Sequence, residues 1–310
     1  MTPTPTPSDV RSAAARIAPH LHKTPVLTSH AIDDRSGATV FMKSEHLQKI
    51  GAFKARGATN AVLAQREEAV ARGVATHSSG NHGQAVAFAS RIAGAKATIV
   101  VPDHAPQVKM DAMRGYGADL IVRPHDEREA SLVEFAEATG ALVVHPFDDP
   151  YVVAGQGTAA LELLSQVQDI DVVLTPVGGG GLLSGSTLIA TEFGIPTVGA
   201  EPEIVDDAFR SLRDGHRYPA TGNISVGDGL LTGIGEIPFA ILSEGDTSIV
   251  TVSEGEILEA MAFVAMRTKQ VIEPSAATVF AALFTSRQFA GSRVGVIISG
   301  GNVQLDRLRG

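Results

Sequence analysis

The lysine of Gly51-Ala52-Phe53-Lys54-Ala55-Arg56-Gly57-Ala58 is the first residue here that could do chemistry. The run that follows, Ala58 to Ala64, reads as helix, so Lys54 sits at or just inside a helix N-terminus. Unpaired N–H groups and the helix dipole disfavour a cation there. A lysine with a lowered pKa is a nucleophile for aldehydes, the first requirement of a Schiff-base enzyme. Small neighbours leave room for a flat ligand, and Phe53 offers a ring face.

Three more segments stand at the ends of predicted strands. Thr76-His77-Ser78-Ser79-Gly80-Asn81-His82-Gly83-Gln84 joins a strand to a helix start and presents N–H groups to an anion such as a carboxylate. Taken alone, its His82 reads as structural. Four consecutive glycines, Gly178 to Gly181, let the backbone fold around a phosphate. A tight turn would need one or two, so the segment reads as a phosphate site and leaves the phosphate compound open. Ser299, in Ile298-Ser299-Gly300-Gly301-Asn302, puts a neutral hydroxyl at the end of an apolar strand.

The elements that must position these residues alternate. Strands are expected at Gly73 to Thr76, Ala97 to Val101, Asp119 to Arg123 and Ala141 to His145, with helices at Asn81 to Ala93, Ala105 to Tyr116 and Arg128 to Thr139. The second half repeats the pattern, ending on the strand Arg293 to Ser299, and holds one long irregular stretch, Pro219 to Glu236. Val10 to Leu21 reads as a helix opened by Ser8 or Asp9, behind a frayed tail at residues 1–8. Such alternation implies right-handed βαβ units and parallel sheets. The strand count exceeds one open sheet, which predicts two α/β domains: 1–66 with 150–310, and a smaller inserted one at 67–149.

Composition narrows the function further. A formal charge of −9 over 310 residues argues against nucleic acid as a partner. With no cysteine, disulfides, zinc-thiolate sites and cysteine nucleophiles are excluded. The Thr/Pro-rich start is no signal peptide, and no apolar run approaches the roughly 20 residues that span a bilayer. A soluble cytoplasmic protein is the expectation.

Together the segments resemble the fold-type II pyridoxal-phosphate enzymes, which are tryptophan synthase β-like, in the serine/threonine dehydratase and serine racemase branch. The resemblance runs from His22-Lys23-Thr24-Pro25-Val26 to Asn302, and includes Ala154-Gly155-Gln156-Gly157-Thr158 and Glu273-Pro274-Ser275. It implies that Lys54 is the Schiff-base lysine, that Phe53 packs on the cofactor ring, and that Gly178, Gly179, Gly180 and Gly181 cradle its phosphate. Asn81 matches the partner of the phenolic oxygen, and Ser299 that of the pyridine nitrogen. Ser79, Gly80, Asn81 and His82 match the loop that grips the substrate carboxylate. Ser79 also matches the second acid/base of the racemases. In Glu201-Pro202-Glu203-Ile204-Val205-Asp206-Asp207 the Glu201 and Asp207 carboxylates and the Val205 carbonyl resemble a Mg²⁺ or Ca²⁺ site. The bland alternative is an acidic helix start.

The resemblance therefore implies removal of water and ammonia from serine- or threonine-type substrates, by a homodimer. Serine racemase and 3-hydroxyaspartate dehydratase are alternatives on the same site. Outside the family stands a nicotinamide dehydrogenase, using the glycine loop and Glu201, and a non-catalytic amino-acid sensor on the same fold is a third class.

Overall fold

The computed structural model describes residues 4–303. Among the described residues, ten strands divide into two sheets. They are β1 (Val26–Leu27), β2 (Thr39–Lys43), β3 (Val74–His77), β4 (Ala97–Pro102), β5 (Asp119–Arg123), β6 (Leu142–Val143), β7 (Val172–Pro176), β8 (Thr197–Pro202), β9 (Thr247–Val252) and β10 (Arg293–Ile297). The six-stranded sheet runs β1-β2-β10-β7-β8-β9 and the four-stranded sheet β5-β4-β3-β6. All pairs are parallel except β1 with β2. Parallel strands covered by helices on both faces read as continuous apolar runs, and β7, Val-Val-Leu-Thr-Pro, is buried at every residue.

This topology brings four strand ends to one place. β2 leads into the lysine segment, β3 into Ser78, β7 into the glycine run and β10 into Ser299, and all four segments line one cavity. Ligands of open parallel sheets lie at such carboxyl ends. The helix Lys54–Ala64 is buried on almost every side, between the helices Asn81–Ala93 and Pro150–Gln166. Close approach explains its small residues: a Cβ on Gly155 would come within 2.6 Å of Gly57 Cα. Gly157 meets Gly185 in the same way, at 2.5 Å from its carbonyl oxygen, and so ties in the helix Gly181–Glu192.

Some expectations needed correction. The first helix is Pro7–Ile17, closed by a capping box between Thr6 and Asp9, so it starts earlier than the sequence suggested. The frayed tail is thus helical from Pro7, and its residues 1–3 lie outside the described residues. Short helices at His30–Ser36, Arg66–Arg72 and Glu236–Glu244 were not anticipated. Among the described residues, no helix is long and apolar enough to cross a membrane.

Candidate active site

Lys54 opens its helix after a turn in which Ile50 (φ 59°) and Gly51 (φ 73°) take left-handed conformations. The turn is stitched to the end of β10. Phe53 N donates to Ser299 O at 2.9 Å and Gly301 N to Gly51 O at 3.0 Å. Lys54 Nζ donates to Pro146 O at 2.7 Å and lies 5.3 Å from the centre of the Phe53 ring. Its pKa falls to about 8, and the cause is burial of the amine. Two residues on, Arg56 is fully buried between Glu45 and Glu162, with Lys43 also on Glu162 at 2.6 Å. That network anchors the turn beneath the amine.

The glycine run is only partly explained by a ligand. Gly180 alone takes a left-handed φ, 86°. At Gly178 a Cβ would stand 2.8 Å from Leu230 Cα, and at Gly179 it would enter the ring of Phe147. Packing therefore demands glycine at positions that the sequence assigned to phosphate. The start of Gly181–Glu192 has no side-chain cap, and its first residues line the cavity beside Gly178, Gly179 and Gly180, which leaves their backbone for an anion.

The third wall is the loop after β3. Gly80 N donates to Ser78 Oγ at 3.1 Å, and Ser79 is exposed at the rim. Asn81 holds a network of its own. Its Nδ2 donates to Glu273 at 2.9 and 3.2 Å, and its Oδ1 accepts from Asn302 Nδ2 at 2.8 Å. Glu273 is buried, which raises its pKa to about 7. His82 turns inward and donates from Nε2 to Val144 O at 3.0 Å. Its Nδ1 has no partner, and burial keeps the ring neutral. Ser299 is buried at the cavity floor.

The cavity measures about 210 Å³ and gathers Phe53, Lys54, the 78–82 loop, Gly178 to Gly181 and Ser299. It also takes residues that the sequence did not single out: Phe147, Lys109, Arg128, Asp228 and Thr232. Lys109 Nζ pairs with Asp228 at 3.0 Å across the opening.

Glu201, Val205 and Asp207 lie apart from this cavity, at the end of β8 and the start of the helix Asp207–Asp214. Glu201 accepts from the amides of Ala208 and Phe209 at 3.0 and 2.8 Å. It therefore caps a helix and does not serve a dinucleotide at the glycine loop. Neither oxygen of buried Asp207 receives a hydrogen bond of normal geometry. Burial raises the Glu201 pKa to about 8 and that of Asp207 to about 7, the amides of Asp207 itself and then of Ile234 only softening the latter. Among the described residues, no group of three or more His, Asp or Glu side chains is placed to hold a metal.

Comparison with known proteins agrees with this geometry. The family described as pyridoxal-phosphate dependent enzyme matches residues 17–300. A serine racemase of Dictyostelium discoideum is 44% identical, covering 97% of this chain and 95% of its own. A crystal structure of serine racemase from that organism superposes with a TM-score of 0.93, over 98% of this chain and 100% of the other. A beta-hydroxyaspartate dehydratase of Paracoccus denitrificans is 41% identical over 98% of both chains. A threonine deaminase of known crystal structure is 42% identical with a TM-score of 0.92, covering 97% of this chain and 99% of the other. A buried amine of lowered pKa, an uncapped helix start and a buried hydroxyl fit pyridoxal phosphate, and this chain belongs to the pyridoxal-phosphate dependent enzymes.

Proposed function

We propose that the chain is an ammonia-lyase that removes water and ammonia from β-hydroxy L-amino acids of the serine and threonine type, releasing a 2-keto acid. The observation that carries this reading is Lys54: a buried amine of pKa about 8, held at 2.7 Å from Pro146 O, on the same cavity as Ser299 and the Ser78–His82 loop. Bound pyridoxal phosphate supplies the sink for the electron pair released when the Cα–H bond breaks. The chain does the rest. The amides of the loop Ser79, Gly80, Asn81 and His82 hold the substrate carboxylate. Lys54 takes the Cα proton, the bond from Cβ to its hydroxyl breaks, and the hydroxyl takes up a proton to leave as water. The start of Gly181–Glu192, with Gly178 to Gly181, holds the phosphate. Phe53 packs on the ring, and Asn81, oriented by Glu273 and Asn302, faces its phenolic oxygen. Ser299 meets the ring nitrogen and, as a hydroxyl, does not keep it protonated, which favours prompt elimination. The dehydrated product hydrolyses in water to keto acid and ammonia.

Ser79 serves as the second acid/base, adding racemase activity. A second reading takes 3-hydroxyaspartate as substrate, because Arg128 puts a cationic group on the cavity wall for a further carboxylate, beside the Lys109–Asp228 pair. Release of keto acid from L-serine, L-threonine and L-threo-3-hydroxyaspartate tests both. Turnover of none of them sinks the lyase reading. If Arg128→Ala lowers all active substrates equally, the second reading fails.

The same reading places a Mg²⁺ or Ca²⁺ on Glu201, Asp207 and the Val205 carbonyl, supported by the orphaned Asp207 oxygens. It takes 1–66 with 150–310 as the cofactor domain and 67–149 as the small domain. A cytoplasmic homodimer completes it; light scattering on the purified chain checks the dimer.

A further inference from the structure

The segment from Val144 to Asp149 leaves the four-stranded sheet, enters the helix Pro150–Gln166 and touches most parts of the site on its way. Val144 O accepts from Thr76 Oγ1 at 2.8 Å and from His82 Nε2 at 3.0 Å. Pro146 O accepts from Lys54, and Phe147 lies against Gly179 and Gly181. The Asp148 carboxylate accepts from the amides of Glu236 and Ile237 at 3.0 and 2.8 Å, capping the helix Glu236–Glu244. Asp149 caps Pro150–Gln166. In the middle stands His145, which does not itself line the cavity. Its Nδ1 lies 2.8 Å from Asp148 N and 3.4 Å from Phe147 N. Amides only donate, so Nδ1 is the unprotonated nitrogen of a neutral ring.

We infer that His145 is a positioning residue for Lys54: the Nδ1 lone pair folds the turn Pro146-Phe147-Asp148 and so presents the Pro146 carbonyl to the lysine amine. The inference rests on the reading of Lys54 as the cofactor lysine. Whenever the amine is not bonded to cofactor, that carbonyl gives it one resting place on the wall of the cavity. An acceptor also favours the ammonium form and opposes the lowering by burial. The groups that face His145 are His77, edge-on at 6.3 Å, with Asp148, Lys54 and Glu129. Burial, then His77, brings the His145 pKa to about 4, so Nδ1 stays an acceptor throughout the range in which Lys54 titrates. His82, the other imidazole beside the amine, is also neutral there.

The test uses the full chain stripped of pyridoxal phosphate. The rate of cofactor uptake, read as the visible band, follows the neutral fraction of Lys54 as pH rises. Asparagine places an acceptor near the position of Nδ1, whereas glutamine places it near Nε2. His145→Asn is expected to keep the wild-type midpoint. His145→Gln is expected to lower it by on the order of one pH unit, the size of one hydrogen bond to a charged group. A stability loss alone would not move that midpoint. In wild type, a long-range nitrogen-15 spectrum should show His145, identified by its loss in His145→Asn, with the proton on Nε2. A proton on Nδ1 overturns the inference even where His145→Gln does not fold. A normal wild-type band with one midpoint for wild type and both variants overturns it while leaving Lys54 in its role. A wild type that forms no band overturns both.

Discussion

At Lys54, burial decides which form of the amine rests in the cavity. With a pKa of about 8, roughly a tenth of the amines are neutral at pH 7, against fewer than about one in a thousand for an ordinary lysine. The other residues divide the work that follows. In the proposed mechanism, elimination from an L-amino acid needs only Lys54 as base, whereas racemisation needs a proton donor on the other face. Ser79→Ala is therefore expected to lose D-serine formation and D-serine dehydration by on the order of a hundredfold, and to keep dehydration of L-serine within about tenfold of wild type. Pyruvate release from both enantiomers, with D-serine measured separately, checks this. Equal loss everywhere would make Ser79 a binding residue only. Ser299→Asp should protonate the ring nitrogen, slow elimination by on the order of tenfold, and produce a new long-wavelength absorbance with serine. An unchanged spectrum and rate would remove Ser299 from the ring.

Among the elements, close helix packing holds the lysine helix. Part of the family-like segment Ala154 to Thr158 turns out to be steric: Gly155 faces Gly57 and Gly157 faces Gly185. A Cβ at residue 157 would stand 2.5 Å from the Gly185 carbonyl oxygen, and neither backbone can turn aside as a side chain would. Gly157→Ala should cost about 1–3 kcal/mol, read as a lower Tm. A melting point equal to wild type would show that the helices separate freely. The start of Asp207–Asp214 makes a pH-dependent demand. The folded pKa values of Glu201 and Asp207, about 8 and about 7, lie above the ordinary 4.5 and 3.8. Between these limits the native state keeps protons that the unfolded chain has lost, so stability falls as pH rises from about 5 to about 8. The proposed divalent cation would need the ionised carboxylates and would reverse that loss. Mg²⁺ or Ca²⁺ at a hundred times its Kd should add about 2.7 kcal/mol at the alkaline end, with protons released on binding. A Tm at pH 8 that responds to neither cation nor chelator would return the segment to a plain acidic helix start.

Across the whole molecule, legibility followed how local each signal is. Asn81–Ala93, β5 and Arg128–Thr139 were readable residue for residue, because the signals that bound them are local: Gly94 and Gly140 close the two helices directly after their last residues. Glu236–Glu244 was missed because its cap is Asp148, far upstream in the chain. In the site, Lys54, the Ser78–His82 loop, Gly178 to Gly181 and Ser299 announced themselves as motifs at strand ends, and the fold gathers them on one cavity. Phe147, Arg128 and the Lys109–Asp228 pair carry no such motif and reach the cavity only through the tertiary arrangement. Borohydride reduction of the purified protein tests most directly whether Lys54 carries the cofactor. A visible band should vanish on reduction, and peptide mass analysis should find the reduced cofactor on Lys54 alone. Lys54→Ala should melt cooperatively yet show neither band nor turnover. A colourless wild type that stays colourless with added pyridoxal phosphate, or a label on another lysine, would contradict the account.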